Sequence, residues 1–286
     1  MTTDPTTRSQ ESAPEGKRRR RRRRRPRSGP PSRAVALLPQ LFTTGNLAAG
    51  FWSITLAARG DLDRAALAIF IAWIFDVLDG RVARLTRATS RFGAEYDSIA
   101  DTVSFGVAPA MLAYQAGALQ QLGWTGWVVA FVYAVCAALR LARFNVTPAR
   151  YQGRFDGLAS PSAAGMVLSS VWFAGFLRES GLPLDLPAAL SGIGIALLGV
   201  LMVSPIPYRS FKDLRIDASH PSSTVLMVLG LIVILVEPRV TLFLLGIVYV
   251  AWGPIEWIWR WRTGNALEEI QPEAEGVPSS GEASHE

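Results

Sequence analysis

The sequence holds a single cysteine, Cys136, and two histidines, His220 and His285. One thiol excludes an intramolecular disulfide, and so few sulfur and imidazole groups leave almost no material for a zinc or haem site. Charge is scarce as well: 18% of the 286 residues are Asp, Glu, Lys or Arg, against 50% that are apolar. Several stretches run for 18 or more residues without a charge, which marks membrane spans and argues against a soluble globular enzyme.

What charge there is lies unevenly. Residues 1–31 carry a net of +8, including the unbroken run Arg18 to Arg25, whereas residues 265–286 hold six glutamates and no Lys or Arg. Neither end shows an apolar period, so 1–32 reads as a disordered Arg-rich tail and 265–286 as a disordered acidic tail. Eight arginines beside a membrane domain suit anionic lipid head groups. Without interleaved aromatics or a folded reading module, specific nucleic-acid recognition is not expected.

Between the tails, 33–264 reads as an all-α polytopic bundle of about eight spans, near 35–58, 62–86, 92–118, 124–144, 160–178, 186–204, 222–236 and 240–261. The seventh is the shortest. With both termini cytoplasmic, the cytoplasmic loops collect Arg84, Arg87 and Arg91, then Arg140, Arg143, Arg150 and Arg154, then Arg209, Lys212 and Arg215. The opposite side holds Arg59, Arg64, Arg178 and Arg239, each with an acid nearby, as the positive-inside rule requires. Trp52, Trp124, Trp127, Trp252, Trp257 and Trp259 fall near span ends, where indole favours the interface.

Four carboxylates break the apolar pattern. Asp76 and Asp79 stand three apart in the second span, and Asp97 and Asp101 four apart in the third, so each pair shares one helix face. Such groups are costly at membrane depth and are functional by default. A short turn between the spans predicts an antiparallel hairpin with both pairs near its cytoplasmic end. An all-oxygen set suits Mg²⁺ or Mn²⁺, and two ions would balance four charges in the manner of phosphoryl-transfer sites. A loop network with Arg81, Arg84, Arg87 and Arg91 is the purely structural alternative. Such a network has no need of Gly80 beside Asp79, Ala83 one turn on or Gly93 before Asp97, and these, with Arg84 as a forked cation, suit a phosphate approaching the helix.

Together these residues read D-x2-D-G-x2-A-R-x8-G-x3-D-x3-D. The string resembles the signature of the CDP-alcohol phosphotransferase family. The resemblance implies a six-helix core, here with two more helices, holding two divalent metals at the cytoplasmic end, often as a homodimer. It further implies that Asp76, Asp79, Asp97 and Asp101 bind metal, that Asp101 is also the general base, and that Gly80, Arg84, Ser90 and Gly93 meet the CDP-linked lipid, with Asn46 and Thr43 near its cytidine. LPQLFTTGNLAAGF (38–51), SFGVAPA (104–110), RLARFN (140–145) and GLASPSAAG (157–165) are similar to the bacterial membrane-integral phosphatidylserine synthases of that family. Ala159 departs from the proline expected in that branch.

The implied reaction carries a phosphatidyl group from CDP-diacylglycerol to L-serine at the inner face of the cell membrane, releasing CMP. Arg140, Arg143 and Lys212 are the candidate partners of serine's carboxylate, with Asn145 beside them; anchoring of the helix end is the alternative role. Two other functions stay open at this stage: the same chemistry on glycerol phosphate or an inositol phosphate, and cation transport through intramembrane carboxylates. Transport fits less well, because the acids sit by an arginine-rich loop and no internal repeat is visible.

Overall fold

The computed structural model describes residues 33–86, 90–146, 154–182, 187–209, 230 and 236–264. The Arg-rich and acidic tails, Arg87, Arg150, Lys212 and almost all of the expected span at 222–236 lie outside the described residues.

Three helices open the bundle: α1 (Arg33–Ala58), α2 (Leu62–Thr86) and α3 (Arg91–Asp101). A π-helical stretch, Thr102–Val107, then joins α3 to α4 (Ala108–Gln115). After a short 3₁₀ turn come α5 (Trp124–Val146), α6 (Ser160–Glu179), α7 (Ala188–Val203) and α8 (Pro238–Thr263). By length and apolar composition α5, α6 and α8 can each cross a membrane, whereas α7 is apolar but shorter. The six tryptophans assigned to interfaces are all exposed.

α1 packs along the whole of α2 through a face of small residues: Ala49 and Ala57 meet Ala65, Ala68 and Ala72 in one core cluster with Phe105, Leu112 and Leu168. Helices in lipid gain little from apolar burial against one another, so close approach of small side chains carries the packing. Gly50 shows how tight this becomes, since a Cβ there would lie 2.7 Å from the Cα of Ser104. A second cluster, centred on Tyr133, Ala137, Leu158, Met202 and Tyr208, joins α5, α6 and α7.

The third span is broken where the sequence suggests continuity. Ala108 N–H reaches back five residues to the Val103 carbonyl, and Pro109 has no N–H to give to Phe105. The buried Tyr133 hydroxyl on α5 donates to Phe105 O instead, at 3.4 Å.

Two features depart from the sequence expectation. α3 packs mainly on α1 and not along α2 as a simple hairpin would require, while α2 meets the π turn and α4. An all-α reading also missed a two-stranded antiparallel sheet, β1 (Arg154–Asp156) with β2 (Pro207–Arg209), pairing Phe155 with Tyr208. Gly157 follows β1 at φ +79°, where a side chain would strike the Met202 carbonyl. Three-residue strands between apolar helices carry no alternating pattern long enough to read.

Candidate active site

The last three turns of α2 and the second half of α3 bring the acids together. One carboxylate oxygen each from Asp76, Asp97 and Asp101 lie within 4.8 Å of one another. Asp79 stands beside Asp97, lining the same cavity. Asp79 and Asp101 are buried, at 5% and 8% exposure, whereas Asp76 and Asp97 are half-buried.

Two observations bear on whether these residues fit divalent ions. Asp97 Oδ1 is buried with no hydrogen-bond partner among the described residues, and ionised carboxyls gathered within 4.8 Å, as those of Asp76, Asp97 and Asp101 are, repel unless a cation or proton sits between them. Among the described residues no arginine forms an ion pair with Asp79, Asp97 or Asp101; the pairs found are Arg64–Asp61, Arg154–Glu256, Arg239–Glu179 and Arg260–Glu256. The donor set is all oxygen, with an orphaned lone pair among it, and it fits hard divalent cations.

A cavity opens beside the acids. Asp79, Gly80 and Ala83 of α2 form one wall, and Ser90, Gly93, Ala94 and Asp97 form the other. Pro39, Gln40 and Thr43 of α1 close the end. Space at Gly80 is open: a Cβ there would meet only Arg84 Nη1, at 3.8 Å, so the exposed guanidinium lies over the glycine. Ser90 does double duty, capping α3 by accepting from Gly93 N–H at 3.0 Å while its hydroxyl borders the cavity.

The two α1 residues linked with cytidine separate. Thr43 lines the cavity and donates to Asp79 Oδ2 at 3.1 Å. Asn46 does not line it; it is fully buried and its amide donates to Asp101 Oδ1 at 2.9 Å. Gln40 was missed by sequence reasoning. The signal was there, since Gln40, Thr43 and Asn46 recur at three-residue steps on a helix with no charged residue after Arg33.

The acceptor candidates also part company. Arg143 is turned to backbone, donating to the carbonyls of Val203 (2.9 Å), Asp156 (3.0 Å) and Ser204 (3.3 Å). That geometry is a clamp on the end of α7 and β1 and leaves little of the fork for a ligand. Asn145 is exposed and donates to Ser98 Oγ at 2.9 Å, tying α5 to α3. Arg140 differs from both: it is buried, its Nη1 donates to Ser160 Oγ at 3.2 Å, and its Nε has no partner among the described residues.

A helical bundle suited to a membrane, with four aspartates set beside an open glycine and a cleft, defines a class of membrane-embedded transferases. The family model for CDP-alcohol phosphatidyltransferases matches residues 36–257, and the chain belongs to that family. A CDP-diacylglycerol–serine O-phosphatidyltransferase of Helicobacter pylori is 36% identical over 233 residues, covering 80% of this chain and 94% of that protein. The enzyme of the same name from Bacillus subtilis is 37% identical over 175 residues, 61% of this chain and 91% of its own length. An archaetidylserine synthase of Methanothermobacter thermautotrophicus is 38% identical over 173 residues, 60% of this chain and 69% of its own.

Proposed function

We propose that this protein transfers the phosphatidyl group of CDP-diacylglycerol to the hydroxyl of L-serine, giving phosphatidylserine and CMP at the cytoplasmic face of the cell membrane. The observation that carries the reading is the convergence of Asp76, Asp97 and Asp101 oxygens within 4.8 Å beside a cleft walled by Asp79, Gly80, Ser90 and Gly93. The serine-specific names of the similar proteins favour serine over other acceptors.

Asp76, Asp79, Asp97 and Asp101 would hold two Mg²⁺ or Mn²⁺ ions. Ions so held supply charge neutralisation to a pyrophosphate and to the departing phosphate oxygen. The remaining work falls to the chain. Gly80 leaves room for the pyrophosphate to approach α2, and Arg84 above it offers a fork for a phosphate oxygen. Ser90 and Gly93 border the same cleft, where Thr43 limits its α1 end.

Asp101 accepts the proton from serine's hydroxyl as that oxygen bonds to the phosphorus bearing diacylglycerol. The bond from that phosphorus to the oxygen of CMP breaks, and CMP leaves with the electron pair. Arg140, buried on α5 with an Nε that has no partner among the described residues, offers a cation for serine's carboxylate.

An acceptor panel tests the proposal: purified protein in detergent with CDP-diacylglycerol, Mg²⁺ or Mn²⁺, and in turn serine, glycerol 3-phosphate, inositol and inositol phosphate. Metal-dependent CMP release with phosphatidylserine as the lipid product, for serine alone, is the expected result. Release with a different alcohol would overturn the serine assignment while keeping the chemistry; no metal-dependent release with any acceptor would overturn the reaction itself.

A further inference from the structure

α1 supplies no acid to the cluster: after Arg33 it contains no charged residue at all. Yet two of the four aspartates take a hydrogen bond from it. Thr43 donates to Asp79 Oδ2 at 3.1 Å, and Asn46, one turn on along the same face, donates to Asp101 Oδ1 at 2.9 Å. Both donors are buried, Thr43 at 5% and Asn46 at 0% exposure.

We infer that α1 is the positioning helix of the carboxylate cluster, with Asn46 setting the orientation of Asp101 and Thr43 that of Asp79. The inference rests on the reading of the cluster as the metal and reaction site.

Asn46 is held too firmly for its bond to be incidental. Its own carbonyl accepts from Ser104 Oγ at 2.9 Å, so α1 is tied at one residue both to Asp101 and to the π turn that follows it. Gly50, one turn further along α1, lets Ser104 approach this closely. Orientation of the amide is dictated by chemistry: an ionised carboxylate only accepts, so the NH₂ group must face Asp101. Asn46 Oδ1 is thereby left buried with no hydrogen-bond partner among the described residues. An unsatisfied buried oxygen is destabilising, a cost that a leucine of similar size would avoid. A residue chosen only to fill the space would be apolar. What asparagine adds is a donor that fixes one oxygen of Asp101, and with it the direction of the other.

Thr43 works in the same way with a shared proton, since its hydroxyl also lies 3.2 Å from the Pro39 carbonyl. Partners that orient ligating groups in this manner typically cost about 10–100-fold in metal affinity or activity when removed. They differ from substrate contacts, whose loss raises KM for the substrate and spares kcat.

The test uses the full chain in detergent, with Mn²⁺ as the probe followed by electron paramagnetic resonance, alongside steady-state kinetics. Asn46→Leu keeps the volume and removes the donor; Thr43→Val does the same, while Thr43→Ser keeps the hydroxyl. Mn²⁺ binding about 10–100-fold weaker in Asn46→Leu and Thr43→Val, lower kcat with KM for CDP-diacylglycerol little changed, and most of the lost affinity regained in Thr43→Ser are the expected results. Unaltered Mn²⁺ affinity and kcat in Asn46→Leu would overturn the inference, as would a raised KM for the CDP lipid at full kcat. Asp97→Asn separates the two levels of the argument. If the unaltered protein binds Mn²⁺ and Asp97→Asn does not, a normal Asn46→Leu sinks this inference alone; if Asp97→Asn binds like the unaltered protein, the cluster is not the metal site and both readings fall.

Discussion

Tyr133 of α5 and the Phe105 carbonyl, 28 residues away in the chain, are joined by a buried hydrogen bond that substitutes for the one Pro109 cannot make. The bond ties the helix that carries Arg140 to the stretch that follows Asp101. Tyr133→Phe would keep the ring and strand the carbonyl, for an expected loss of about 1–2 kcal/mol, at the low end because the bond is long. The midpoint of thermal unfolding in detergent reads this directly. No shift would mean that the Phe105 carbonyl is satisfied without the phenol.

Gly80 separates stability from substrate clearance. A methyl group there meets nothing closer than Arg84 Nη1 at 3.8 Å, so Gly80→Ala should fold and gain about 0.5–1 kcal/mol from helix propensity. Turnover should nevertheless fall, by about 100-fold if the phosphate is displaced by an ångström. Arg84→Ala, by contrast, should chiefly raise KM for CDP-diacylglycerol. Full activity in Gly80→Ala would show that no ligand group passes close over the glycine.

Asp101→Asn should lower kcat by at least about 100-fold while melting stays near normal, because the substituted amide fits the same space but cannot take a proton. Chelation should abolish CMP release in the unaltered protein, and added Mg²⁺ or Mn²⁺ should restore it. Activity surviving in Asp101→Asn would remove the base assignment; activity surviving chelation would remove the metal requirement.

Arg140 and Arg143 make opposite predictions despite lying three residues apart. Arg143→Ala strands the carbonyls of Val203, Asp156 and Ser204, so a stability loss of about 3 kcal/mol or more is expected. Arg140→Ala removes the proposed partner of serine's carboxylate, and KM for serine should rise about 10–100-fold, the worth of a charge-assisted hydrogen bond. Thermal melts and serine titrations on both variants check the pair. The two patterns exchanged would reassign the acceptor site to Arg143.

Much of this protein is legible along the chain because its strongest constraints are local. Apolar runs place helices near the bounds observed for α1, α2, α5, α6, α7 and α8, since a lipid-facing backbone has few other ways to satisfy its polar groups. The spacing of Asp76, Asp79, Asp97 and Asp101 predicts two acidic helix faces, and the structure gathers three of those oxygens within 4.8 Å. Helical period is a property of consecutive residues and needs no knowledge of neighbours.

Partner choice is different, because it depends on which distant groups reach the same point in space. Nothing in the sequence distinguishes Arg140 from Arg143; only the arrival of β1 and the end of α7 commits Arg143 to carbonyls while Arg140 keeps a free Nε. Asn46 reads as a polar residue facing a substrate until α3 delivers Asp101 to its amide, 55 residues away in the chain. The sequence by itself determined which residues carry charge and which faces of the helices they occupy. Tertiary structure decided which of them are held by the protein and which are left free for chemistry, because a hydrogen bond is settled by distance and direction, and those are set only when the helices pack.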